Sequence, residues 1–397
     1  MASSRAYLLC TVTSLTLALA ITVGAGAPRR SGPVQRSASF DAHLIDSALT
    51  GGYQVVIADM NRDGKPDIIA IASGLSDIRW YENPGWQKHV IASGLTEPIN
   101  AAAFDVDGDG IPEIALAHDF SNIYAQSVGT VSILTHQGDP TGLWARRDID
   151  RVPTSHRLRF ADVDGSGHSV LVNAPLIGAK ALAPTYRDHL PLLMYRPGAW
   201  AREVISDGDE GVVHGLLPTR WNGDNRESII TASFLGAFLH RYDNGRWSRT
   251  RLVAGDPSAW PQSGASDVAI GHIGRARFLV TIEPWHGNEV VVYRARDGAW
   301  ARHVIDSTVT DGHSLVVGDF DRSGRDEIVV GERGGKRSVY RYRLVDERTD
   351  AWSRSSLDDG GMAAAGCAVA DLNGDQRADV ICIGTATANL KWYENRP

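Results

Sequence analysis

Apolar and polar residues alternate along most of this chain, and no stretch shows a helical period. Seven times an aromatic residue is followed five positions later by Ile or Leu, with polar residues between. The pairs are Phe40/Ile45, Trp86/Ile91, Trp144/Ile149, Trp200/Ile205, Trp247/Leu252, Trp300/Ile305 and Trp352/Leu357. A period of two is that of a half-buried strand, whose successive side chains point to opposite faces. Turn residues precede several of these runs, as in Tyr81-Glu82-Asn83-Pro84-Gly85 and Tyr242-Asp243-Asn244-Gly245. Each run therefore reads as the outer strand of a hairpin.

Between these strands recurs a second unit, in which an acidic loop joins two apolar runs. The clearest copies span 55–72, 101–117, 315–331 and 368–384. A partial copy covers 159–172, a weaker one 218–232, and 269–281 keeps the strands without the acids. Seven units of four short strands, about fifty residues apart, predict an all-β, seven-bladed β-propeller. The last unit stops at Lys391-Trp392-Tyr393-Glu394-Asn395, a third strand with no fourth, whereas Phe40–Ile45 has no inner strands before it. The N-terminal strand is thus expected to complete the final blade and close the ring, which removes two exposed sheet edges.

Ahead of the propeller, Arg5 is the one charge before an apolar stretch from Ala6 to Val23, and Gly24-Ala25-Gly26-Ala27 supplies small residues for cleavage. This reads as a secretory signal, since the apolar stretch is short and broken by Thr and Ser. The expected organisation is a signal peptide over 1–27, a flexible lead-in over 28–38, and a propeller over 39–397. The mature protein would be secreted or extracytoplasmic, with no membrane partner, and monomeric. Cys367 and Cys382 flank loop 371–379 almost symmetrically. A cross-strand disulfide and two free buried thiols both remain open. A net charge of −7 without any basic run gives no reason to expect a nucleic-acid partner.

Oxygen ligands recur at loop positions 1, 3, 5 and 9. They are Asp59, Asn61, Asp63 and Asp67; Asp105, Asp107, Asp109 and Glu113; Asp371, Asn373, Asp375 and Asp379. Asp319, Asp321, Ser323 and Glu327 form a fourth set with a hydroxyl at position 5, and blade three keeps only Asp162, Asp164 and Ser166. Alternate short carboxylates on a tight turn converge as Ca²⁺ requires, and structural calcium is expected in several loops. An EF-hand is excluded, because its twelfth position should be Glu and here holds Ala70, Leu116 or Cys382. The pattern resembles the FG-GAP/VCBS repeats of integrin-α-like propellers over nearly all of residues 40–397.

If the acidic loops share one face of the ring, the start of each first strand and the end of each second strand lie at the other, about 20 Å away. Tyr53, His156 and His313 stand six positions before the first loop acid, and His214 stands at the equivalent place in blade four, six before Arg220. His118 and Glu332 end second strands, with Glu283 close to the same level and Trp285, His286 and Asn288 following it. Five of the thirteen histidines thus fall at one channel mouth. Two longer loops, 118–129 and 173–190, belong to this face and bring Tyr124, Gln126, Lys180, Tyr186, Arg187 and His189, which suit a hydroxylated or acidic ligand. Three neutral imidazoles could also hold Zn²⁺ with one position open.

The strings WYENPGW (80–86), DGHSLVVGDFD (311–321) and IEPWHGNEVVVY (282–293) are similar to those in the propeller part of aldos-2-ulose dehydratases. Seven-bladed polysaccharide lyases are similar in architecture and in using His and Tyr. The dehydratase resemblance implies elimination on a keto-sugar, with metal in the propeller. The expected function is β-elimination on a sugar or uronic-acid saccharide. In that reading His156 or His313 is the base, His214 and His118 stabilise charge or bind metal, and Tyr53 donates a proton. Glu283, Trp285, His286, Glu332, Lys180, Tyr186 and Arg187 would contact the carbohydrate. The alternative is a non-catalytic propeller that binds glycan or protein through the same face.

Overall fold

The computed structural model describes residues 38–396, so the signal reading over 1–27 and nearly all of the 28–38 lead-in lie outside the described residues. Seven four-stranded antiparallel sheets follow one another. Blade one runs from Gly52 to Ser93, blade two from Asn100 to Arg151, blade three from Ser155 to Glu210 and blade four from Val213 to Val253. Blade five covers Asp267–Asp306 and blade six Gly312–Asp358. Blade seven takes three strands from Ala364–Arg396 and its outer strand, Ser39–Asp46, from the other end of the chain. Ser39 pairs with Arg396 and Leu44 with Lys391, which closes the ring as the strand count requires. The first strands contact one another in cyclic order around the axis.

The burial of each strand follows from its place in the blade. Second strands such as Asp67–Ala72, Val170–Pro175 and Asp379–Gly384 are buried at every position. Both of their faces meet neighbouring blades, so they read as continuous apolar runs. Outer strands such as Ser39–Asp46 and Ala351–Asp358 have no fully buried position and mix exposed with half-buried residues. The core is a set of wedges between blades. One joins Ile69, Ile71, Trp80 and Ile91 of blade one to Ile114, Leu116 and Leu134 of blade two. Full burial of each such side chain contributes roughly 1.5–3 kcal/mol.

Cys367 and Cys382 stand directly opposite in register and form a disulfide, with their Cα atoms 4.1 Å apart. Of the two states left open by the sequence, the pair adopts the cross-strand disulfide. The acidic loops all join first to second strands and so lie on one face of the ring, while the histidine register falls at the other end of the same strands.

Candidate active site at the histidine face

Four first strands carry Tyr53, His156, His214 and His313 to the axis at one level. His156, His214 and His313 are each 1% exposed. His286 arrives from a tight turn after the second strand of blade five, with φ of 50°. Gly287 makes that turn possible, because a Cβ there would lie 2.2 Å from the Glu283 carbonyl oxygen.

The imidazoles converge. His214 Nε2 lies 3.2 Å from His313 Nε2 and 3.4 Å from His286 Nε2. Each of the three offers a ring nitrogen within 4.8 Å of the others. Ligand atoms at the corners of a tetrahedron with Zn–N bonds of about 2.0–2.1 Å stand roughly 3.3–3.4 Å apart, a spacing that both separations from His214 match. His313 is oriented from behind by its Nδ1, which meets the Ala365 carbonyl at 2.6 Å. His156 stands apart from the trio and meets the Tyr53 hydroxyl through Nε2 at 2.6 Å. Its ring centroid is 5.1 Å from that of His214, and Phe120 packs against it.

Burial, reinforced by nearby cations, holds all four imidazoles neutral. It pushes His156 and His214 well below the ordinary histidine value, with the Arg157 charge adding to the effect. His313 is lowered in the same way by burial and Arg333, and His286 is brought down to about 3 by burial and Arg333. Neutral imidazole is the form that binds a metal or accepts a proton.

Arg157, Arg333 and Asp311 complete the site and were not singled out in the sequence. Arg157 donates through Nε to the His214 carbonyl at 2.9 Å and places Nη2 3.2 Å from His214 Nε2. Arg333 pairs with Asp311 at 2.9 Å and reaches His286 Nδ1 at 3.1 Å. Arg157 directly follows a register histidine and Arg333 follows Glu332, but a charge beside a strand end carries no signal of its own.

The other expected residues are placed differently. His118 contacts Ser132 at 2.9 Å and Asp119 at 3.1 Å within blade two. Glu283 accepts from Thr281 and Tyr293 and pairs with Arg302, and Glu332 accepts from Thr310, Lys336 and Tyr340. Glu283 and Glu332 are satisfied by these local partners, His118 keeps its buried Nδ1 without a hydrogen bond, and none of the three joins the histidines. Trp285 and Tyr186 do come together, with ring centroids 5.4 Å apart, in an aromatic group with Phe234 and Trp260. Arg187 stacks over Trp260, whereas the backbone N–H of exposed Lys180 donates to Asp188. A cavity of about 550 Å³ beside Phe120 is lined by Asp119, Ser121, Asn122 and Gln126 from the elongated loop of blade two and by Glu97 from the connection between blades one and two.

At the opposite face, Asp105, Asp107 and Asp109 bring three carboxylates within 4.8 Å. The first acids organise their loops: Asp59 accepts from the backbone of Asp63 and Gly64, Asp319 from Ser323 and Gly324, and Asp371 from Gly374, Asp375 and Gln376. Asn61, Asp321 and Asn373 repeat this from position 3. The ninth-position acids point inward instead. Asp67 accepts from the backbone N–H groups of Met60 and Asn83, Asp379 from those of Leu372 and Asn395, and Glu113 from Val106. Glu327 is held bidentately by Arg341. Blade three, which has Val170 at that position, borrows Glu227 of blade four to accept from the Asp162 N–H.

Comparison with known proteins agrees with this layout. A family profile described as the aldos-2-ulose dehydratase β-propeller domain matches residues 128–296, and FG-GAP-like repeats match 59–116 and 319–382. Aldos-2-ulose dehydratase of Phanerodontia chrysosporium is 25% identical over 90% of this chain. The chain spans 45% of that relative's length. Among solved structures, virginiamycin B lyase from Staphylococcus aureus superposes with a TM-score of 0.57 at 10% identity, covering 90% of this chain and 99% of its own. Hydrazine synthase of Kuenenia stuttgartiensis gives 0.57 at 11% identity, covering 87% and 95%. These two likenesses are of fold. The chain is therefore a seven-bladed propeller with FG-GAP-like repeats, related to the propeller of a carbohydrate dehydratase.

Proposed function

We propose that this is an exported carbohydrate lyase or dehydratase that performs β-elimination on a sugar at the histidine face. The observation that carries the reading is the convergence of His214, His286 and His313 beside the Tyr53–His156 pair. The trio would hold Zn²⁺, which when bound would polarise a substrate carbonyl or carboxylate and acidify the adjacent C–H. His156 is the base and works through Tyr53, the partly exposed member of the pair. The tyrosine oxygen takes the substrate proton while its own proton passes to His156 Nε2 across the 2.6 Å contact. As the β C–O bond breaks, the same proton path runs in reverse and protonates the departing oxygen, which leaves as water or an alcohol. The base ends neutral, as it began. Arg333 and Arg157 are placed to stabilise enolate-like charge. The 550 Å³ cavity beside Phe120, rich in amides and carboxylates, suits sugar hydroxyls.

The test is to incubate the protein with keto-sugars and uronic-acid polysaccharides and to follow ultraviolet absorbance of the new conjugated double bond. Tyr53→Phe and His156→Ala should each abolish the signal, and His286→Ala should release zinc measured by elemental analysis. Full activity in both dyad variants would overturn the mechanism. The group formed by Trp285, Tyr186, Phe234 and Trp260 favours a second reading, glycan binding without turnover, which predicts saturable binding and no absorbance change. Calcium in the acidic loops belongs to the same proposal, with Asp105, Asp107 and Asp109 as the best-assembled set, and its role there is structural. The disulfide supports an oxidising compartment.

A further inference from the structure

Behind the histidines, the channel along the propeller axis opens into a cavity of about 460 Å³. Its walls set aliphatic side chains, Val55, Leu216, Val268, Leu315 and Val316, among the polar groups of Tyr53, Gln54, His313 and Ser314. Two guanidinium groups nevertheless face it, Arg157 and Arg159, both from the first strand of blade three. Arg157 is only 8% exposed. Its hydrogen bonds go to the carbonyl and ring of His214, and those of Arg159 go to Asn100 and the Leu158 carbonyl. Among the described residues, neither guanidinium has a carboxylate within ion-pair distance.

One acid, Asp267, lines the same cavity, and burial moves its carboxyl up to about 6. The charge lining the channel therefore stays positive by at least one unit. Asn100 adds a donor without a protein partner: its Oδ1 accepts from the Leu158 N–H at 2.9 Å, leaving the buried Nδ2 unpaired. Buried donors and cations left in this state cost free energy unless a ligand or water meets them.

We propose that this channel is a binding site for a small organic monocarboxylate, gripped by Arg157 and Arg159. A planar carboxylate matches the guanidinium fork, one negative charge matches the surplus, and the aliphatic walls accept a short carbon skeleton. Entry is from the acidic-loop face, past Thr219, Val317 and Val369, because the buried imidazoles seal the other end. This site opens on the face opposite the sugar site proposed above, and Tyr53, His313 and Arg157 stand between the two and border both.

The experiment is calorimetric titration of the full chain with propionate and, as a neutral isostere, propionamide, at constant ionic strength with chloride as the background anion. Propionate should bind saturably and propionamide should not. Arg159→Gln should weaken propionate at least about tenfold, the cost of one charge-assisted pair. Thr219→Tyr, which narrows the entrance and leaves both arginines in place, should weaken it as well. Circular dichroism and melting temperature confirm that each variant is folded. Absence of propionate binding, equal binding of the amide, or undiminished binding in both folded variants would overturn the proposal.

Discussion

Four tyrosines fasten neighbouring blades to one another. Tyr81, Tyr195, Tyr342 and Tyr393, on third strands, donate to Asp46, Asp150, Asp306 and Asp358 at the ends of the preceding outer strands, over 2.6, 2.8, 2.8 and 2.8 Å. A cation from the tyrosine's own blade joins three of the pairs closely, Arg202 at Asp150, Arg354 at Asp306 and Lys391 at Asp358, while Arg79 and Lys88 stand 4.0 and 3.9 Å from Asp46. Burial alone would raise Asp306, but bonds from Thr308, Tyr342 and Arg354 outweigh it and hold its carboxyl below the usual range. A carboxyl depressed in the folded state stabilises the fold above its unfolded pKa, about 3.9, and that contribution is lost as pH falls through the folded value. Tyr342→Phe is expected to cost about 1–2 kcal/mol in urea denaturation at neutral pH, with the difference from wild type shrinking in acid. A cost that stayed constant with pH would show that the carboxylate is not the partner that matters. His240 reinforces the acid sensitivity: burial lowers it to about 4, so below pH 6.5 the unfolded chain takes up a proton that the fold refuses. His240→Gln should flatten the loss of stability between about pH 6.5 and 4, read from melting temperature. Each of these residues is visible in the sequence, but the pairings are not, because they cross from one blade to the next. The same limit hid Arg157 and Arg333. His118 and Glu332 miss the site for a different reason: both end second strands, but their side chains turn to local partners, Ser132 for one and Thr310 and Tyr340 for the other.

At the scale of the element, the acidic hairpin divides its labour in a way its spacing does not announce. Positions 1, 3 and 5 gather at the turn, whereas the ninth-position acid folds inward to cap backbone N–H groups. A ligand count taken from sequence treats all four alike, because it sees oxygen atoms and not which way each strand-end side chain must face. If the turn carboxylates hold calcium, added Ca²⁺ should raise the melting temperature and a chelator reverse it, with stabilisation of about 2.7 kcal/mol at a hundredfold excess over Kd. Asp107→Asn should remove part of that response and leave the metal-free stability nearly unchanged. Asp67→Asn should behave in the opposite sense, lowering stability with or without calcium, since its carboxylate is occupied by Met60 and Asn83. Equal calcium responses in wild type and Asp107→Asn would remove this turn from the account.

The whole molecule rests on closure by its two chain ends. Strand count made this legible, since a third strand without a fourth at one end and a lone outer strand at the other admit one economical solution. Geometry then adds what counting could not supply. Ser39–Asp46 is the outer strand of blade seven and also brings Asp46 to Tyr81 of blade one, so one segment ties the last blade to the first. His43 and Arg396 extend the seam through Glu394 and Asp41. Removing residues up to 46 would therefore strip blade seven of its outer strand and break the latch that follows it. The exposed strand Leu390–Arg396 would become a free edge, open to pairing with other chains. The truncated protein is expected to lose several kcal/mol in urea denaturation, with a broadened transition as blades near the seam melt first. A synthetic peptide covering residues 38–47, added in excess, should restore both the midpoint and the steepness, whereas the same peptide with Asp46 replaced by Asn should restore less. The histidines supply the decisive readout. His313 and Tyr53 stand on blades six and one, on either side of blade seven, so opening the seam should loosen the site before the rest of the ring unfolds. If the trio holds zinc as proposed, zinc retained at full occupancy by the truncated chain would mean that the histidine level is held by its first strands alone and does not depend on closure.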